Sequence, residues 1–321
     1  MPVKAEYIYV GLVVAGTVAQ LCLTKLYQAR MVGQSMKAFE SAERVFFLGM
    51  ALSASAWLIL MGSNGFRIET TRFSALCALA TSVGGTLTNL FGIMVLSRGR
   101  LSVYTLFLML GGMSLPFLAG VAFWGEPLIA PRLAGLLLLA AALAHPAFEK
   151  TEGGGSVGPN GWAVFLLLCF GVFAANGMNG IVAKIHQTHA ARADTVSFMI
   201  LRETFNAPFN AALFLILFRM NRKNGSGAAA SPAEKPYRSG LTLLIIFIFA
   251  AAYCGSHFFN LLAARTLDAS WQFPVVTGGA LVLSAAAGRL FFHEKLSKRA
   301  ATGIAAAAAA TVLFGLGESI R

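Results

Sequence analysis

Three side chains in the stretch "AAYCGSHFFNLLAAR" (residues 251–265) carry usable chemistry: Tyr253, His257 and Asn260. Their spacing of i, i+4 and i+7 puts a phenol, an imidazole and a carboxamide on one face of a helix. Such a face can grip a ligand by hydrogen bonds. It offers no metal site, because no further His, Cys or carboxylate stands at ligand spacing. An imidazole with a reference pKa of about 6.5 can relay protons, though a hydrogen-bonding role is the simpler reading. Other isolated polar residues recur inside apolar runs: Gln20, Asn89, Tyr104, Asn176, Asn179 and Gln272, with Thr86 and Thr88 beside Asn89. Glu203 is the one acid set well into such a run, which makes it the candidate for proton coupling; Arg202 precedes it. Adjacent residues on a helix point apart, so each is expected to pair with a different helix. Lys25, Lys184, Arg44 and Arg202 lie near the ends of apolar runs, as clamps or as rims of entrances.

The elements that must position these groups follow from composition. Of 321 residues, 57% are hydrophobic and 12% charged, and the mean hydropathy is +0.71. A soluble chain of this length needs more charged surface than that. A bilayer core about 30 Å thick needs roughly 20 apolar residues per helix. Ten such stretches are present, approximately 6–27, 43–62, 73–97, 101–124, 131–148, 161–186, 195–219, 240–265, 270–292 and 299–317. The chain is therefore expected to be an all-α integral membrane protein of ten transmembrane helices. The first run is read as a retained helix and not as a cleaved signal. All four cysteines fall inside apolar runs, as core residues. The formal charge of +12 is spread over separate loops, a pattern of membrane topology and lipid contact and not of nucleic-acid binding.

The chain is written twice. "FWGEPLIAPRLAG" (123–135) and "FFHEKLSKRAATG" (291–303) share Phe, Glu, Leu and Gly at an offset of 168. "VAGTVAQLCLTKLYQ" (14–28) lies on "FAANGMNGIVAKIHQ" (173–187) at 159, pairing Gln20 with Asn179 and Lys25 with Lys184. Arg44 pairs with Arg202 at 158. One insertion, a polar linker at 221–239 between the seventh and eighth helices, explains the change of offset. Two five-helix repeats are thus expected, 1–149 and 160–321. Five being odd, they must enter the membrane in opposite senses, as inverted repeats.

Gly177, Asn179 and Lys184 in a G-x-N…K pattern, the paired arginines of the second and seventh helices, and the twin acidic turns carry a resemblance over nearly all of the chain. The sequence resembles the drug/metabolite transporter (DMT) superfamily, specifically its EamA-like ten-helix branch. The resemblance implies secondary transport of a metabolite across a bacterial inner membrane, and it implies cytoplasmic termini. The charge count says otherwise about the termini. Eight lysines and arginines stand on the terminal side and sixteen on the other, which predicts outward termini and an inward linker.

At the turns, Glu126 and Glu294 each precede a helix, where a carboxylate accepts from free N–H groups and is favoured by the dipole. Leu128 and Leu296 are expected to fold back onto the core, and Gly135 and Gly303 to allow close helix packing. Paired glycines at 84–85, 111–112 and 278–279, with Pro116, Pro208 and Pro274, are candidate hinges or packing points. The polar set is expected to line a central cavity between the first, third, fourth, sixth, eighth and ninth helices. Small exporters related to the resembled family hold lipophilic cations on a mid-helix glutamate; here Gln20 and Asn179 stand instead. A neutral cavity flanked by cations suits amino acids or related compounds. The expectation is a secondary transporter working by alternating access, export favoured over import. The alternatives are an exporter of drugs or nucleotide-linked metabolites, a membrane receptor or scaffold, and an intramembrane enzyme. No nucleophile–base pair supports the last, so no enzyme activity and no cofactor are expected. The expected partners are a small-molecule substrate and the lipid bilayer, with the chain a monomer or weak homodimer.

Overall fold

The computed structural model describes residues 5–31, 38–96, 101–147, 159–223, 240–293 and 298–319. Among these residues the chain is all helix and turn. The helices are α1 (Ala5–Met31), α2 (Ala38–Ser63), α3 (Arg72–Leu96), α4 (Leu101–Phe123), α5 (Ala130–Ala147), α6 (Pro159–Thr188), α7 (Thr195–Lys223), α8 (Gly240–Thr266), α9 (Ala269–Phe292) and α10 (Lys298–Ser319). Each coincides with one apolar stretch of the sequence. Burial of backbone polar groups in hydrocarbon leaves helix as the available local solution. Seven helices are long and apolar enough to cross a membrane; α5 and α10 contain shorter apolar stretches. The exception is α7, which carries Arg202, Glu203, Asn206 and Asn210 along its length. Helix α7 also continues to Lys223, so Asn221 to Lys223 are helical and not linker. The rest of the expected linker lies outside the described residues, as do Glu294 and Leu296.

Helices pack mostly on partners distant in sequence. The pairs α2–α7, α4–α9 and α5–α10 face one another, while α1 packs on α8 and on α9, α6 on α3 and on α4, α3 on α7, and α2 on α8. Replacing each helix by the one five places on returns this set of pairs. The α6–α8 contact departs from this pattern, since α1 and α3 do not approach to the same extent. So do α5–α9, which α10–α4 does not match, and α9–α10, which is more extensive than α4–α5. Two larger apolar cores lie side by side. One joins Phe117, Leu139, Trp271 and Phe314; the other joins Ala56, Phe198, Ile200 and Leu261. Gly135 permits the α5–α10 approach, where an added Cβ would meet the Phe314 ring at 2.9 Å, and Gly303 is buried in α10. In each glycine pair at least one member is a packing point: a Cβ at Gly111 would collide with the Phe173 carbonyl, at Gly84 with the Asn179 amide, and at Gly278 with the Thr311 hydroxyl, whereas Gly85 faces open space. Helices α3, α4 and α9 run unbroken through them.

The turns 64–71, 124–129, 189–194 and 267–268 meet at one end of the bundle. Thr71 donates to the Ala191 carbonyl (2.8 Å), and the Glu69 N–H to Ser197 (2.9 Å). Arg265 donates to Gln187 (2.8 Å) and to Thr195, and Lys184 donates to the Leu267 carbonyl. Glu126 closes the set. Its two carboxylate oxygens accept from the N–H groups of Ala269 and Ser270, both at 2.7 Å. The helix it caps is therefore α9 and not α5, the one it precedes. The nearby acid, Asp268, makes no side-chain cap and instead meets Arg132 at 2.8 Å, leaving the α9 N–H groups to Glu126. Leu128 stays 55% exposed and does not return to the core.

Candidate functional site

Two adjoining cavities, about 340 and 280 Å³, open among α2, α3, α4, α6, α7, α8 and α9. Gly85, Asn176, Asn179, Asn206 and Tyr253 line both, so they form one space with two chambers. The larger chamber is walled by Arg202, His257, Asn260 and the rings of Phe198 and Phe273. The smaller is walled by Ser53, Thr86, Thr88, Asn89 and Asn210. The space draws on α2 and α7, which the sequence reading omitted, and not on α1.

Local helix geometry explains the wall. Tyr253, His257 and Asn260 share one face of α8, with the Tyr253 and His257 rings edge to face at 4.3 Å. From α6, Asn176 and Asn179 lie three apart. The Asn176 amide donates to the Leu108 carbonyl at 2.7 Å, which ties α6 to α4. From α7, Arg202 and Asn206 lie four apart on the same wall. Behind them sits Glu203, with no solvent exposure. It accepts from Arg202 Nε (3.1 Å) and Tyr253 Oη (2.9 Å) on Oε1, and from Asn206 Nδ2 (3.3 Å) on Oε2. Arg202 Nη2 also donates to Tyr253 Oη at 2.9 Å, and Nη1 lies 3.5 Å from His257 Nδ1. Arg202 and Glu203 thus pair directly with each other, contrary to the expectation from adjacency. The arginine is long enough to bend its Nε back over the neighbouring carboxylate.

Several sequence candidates stand elsewhere. Gln20 is off the cavity wall and donates to the carbonyl of Gly16 one turn back (3.2 Å). Tyr104 packs against Gly92 in a separate apolar cluster with Phe165 and Val95. Gln272 is buried and lies behind the wall, donating to the Asn260 side chain at 2.8 Å. Glu203 does not reach the cavity, so the coupling candidate is a fixed counter-ion to Arg202 in this structure. Lys25 is exposed, with its ammonium 5.2 Å from the Phe292 ring centre. Arg44 is half-buried, and its carbonyl accepts from Tyr27. With Lys184 bound to the Leu267 carbonyl, Arg202 is the one of the four clamp candidates on the wall.

Sequence reading missed Thr81, Asn206 and Asn210. A signal was present: Glu203, Asn206 and Asn210 stand at i, i+3 and i+7, one helical face just as the i, i+4, i+7 spacing of the α8 set is. What the arrangement can do chemically is bind. Its described residues present one guanidinium, several carboxamides and hydroxyls, and aromatic faces.

No family model and no curated protein matches this chain. Its fold is similar to that of a solved protein described only as "Crystal structure of protein", at 13% sequence identity over 96% of each chain and a TM-score of 0.69. Identity that low establishes a shared fold and leaves function to the site.

Proposed function

We propose that the chain is a secondary transporter, an exporter of a small polar metabolite such as an amino acid or related compound, working by alternating access. In this reading it has ten spans in two inverted five-helix repeats, of the drug/metabolite transporter kind that the sequence resembles. One observation carries it: a polar space of two chambers, with Arg202 on its wall and the buried Glu203 behind, enclosed mainly by long apolar helices. Polar and charged groups at membrane depth are costly and are retained where they serve a pathway or ligand. The self-matching pattern of helix pairs supports the repeat. The extra α6–α8 contact is an asymmetry of the kind expected when an inverted repeat rests in one of its two states.

The test is counterflow into proteoliposomes loaded with amino acids, nucleobases, sugar nucleotides or lipophilic cations, in separate experiments. The reading requires saturable exchange of at least one metabolite class, absent from empty vesicles. Ligand-induced stabilisation without any flux would make the protein a receptor.

A further inference from the structure

Among the described residues lining either chamber, Arg202, on the wall of the larger, alone carries a formal charge. Its counter-ion lies on the far side. Glu203 is fully buried, accepts from three donors and lines neither chamber, so the cavity meets the guanidinium and not the carboxylate. A guanidinium has five N–H donors in a planar fork. The contacts to Glu203, Tyr253 and His257 engage three of them, one on each nitrogen. By that count one N–H on each terminal nitrogen remains, enough for a two-pronged pairing with a carboxylate. The side chain is 11% exposed, and that exposure opens into the space it lines.

We propose that the cavity binds its ligand through a carboxylate seated on Arg202, so that the ligand class is small organic acids, zwitterions included. Glu203 and Tyr253 position the fork from behind. Phe198, Phe273 and the Tyr253–His257 pair supply apolar faces for the rest of the ligand. Charge decides between ligand classes. A lipophilic cation would face the guanidinium with Glu203 out of reach. A phosphate dianion would call for a second cation, and none lines the wall among the described residues. The inference rests on the proposed function for calling this ligand a substrate, but the binding can be measured without transport.

The experiment is a thermal-shift titration of detergent-purified protein with four probes on one skeleton: phenylpropionate, phenylalanine, phenylpropanamide and phenylpropylamine. The two carboxylates should raise Tm with dose, as a ligand of the native state must. The amide and the amine should not. Arg202→Lys keeps the charge and loses the fork, and should weaken apparent affinity by roughly tenfold or more. The double variant Arg202→Gln/Glu203→Gln removes the anchor without leaving a lone buried charge. It should keep a Tm near wild type and lose the response, while Lys25→Gln retains it. A shift by the amide or amine equal to that by the acid would overturn the proposal. So would a response surviving in the double variant, or silence of all four probes. Silence here with counterflow of neutral or cationic solutes removes the anchor and spares the transporter. Carboxylate binding without flux does the reverse.

Discussion

The Arg202–Glu203 pair shows how one residue type depends on its neighbour. Glu203 has no exposed surface, and its two oxygens are taken by Arg202, Tyr253 and Asn206. Removing one partner from a buried pair strands the other charge, at a cost of about 3–5 kcal/mol. Glu203→Gln should therefore destabilise by that order in a detergent denaturation series. The double variant with Arg202→Gln should recover most of the loss. A single variant as stable as wild type would show that water, and not Glu203, neutralises the arginine. Tyr253 donates to the acid and accepts from the base, so the pair belongs to α8 as much as to α7.

At the scale of elements, Glu126 joins two parts of the chain that are 143 residues apart by capping α9 from the α4–α5 turn. A lost cap costs about 0.5–2 kcal/mol. Glu126→Ala should lower Tm by that order and also loosen the end at which the four turns meet. Hydrogen–deuterium exchange should then rise at the start of α9, and an unchanged rate there would refute the cap. This contact marks the limit of what the sequence could show. The acidic turn was legible because it is written twice, and its proximity to a helix start was legible from spacing. Which helix it serves depends on how α4 meets α9, which no local pattern encodes. The α8 face was legible for the opposite reason: Tyr253, His257 and Asn260 stand alone among apolar residues, and helical spacing suffices to align them. Gln20 misled because its alignment with Asn179 does not carry equivalent surroundings: Asn179 lines the cavity, whereas Gln20 turns back to the Gly16 carbonyl. The polar face of α7 was overlooked because adjacency assigned Arg202 and Glu203 to different helices, and Asn206 and Asn210 were not aligned with them.

At the scale of the molecule, the burial of cations bears on orientation. On the terminal side, Arg132 and Lys184 are buried and hydrogen-bonded within the protein, and Arg265 is tied to Gln187. Charges committed to internal partners are poor topology signals, so these three carry little weight, and the excess of basic residues counted on the opposite side stands without them. Both termini are predicted to face outward. A carboxyl-terminal green fluorescent fusion should stay dark and a phosphatase fusion active; the reverse would restore the family habit. The central claim is that one cavity opens in turn to each side of the membrane. Thr81 lines that cavity, and cysteine is close to it in size. In a variant lacking the four native cysteines and carrying Thr81→Cys, reconstituted in one orientation, a membrane-impermeant thiol reagent should be applied from each side in turn. The account predicts labelling from both sides, with a ligand that occupies the cavity slowing both. Labelling confined to one side, however long the exposure, would contradict it.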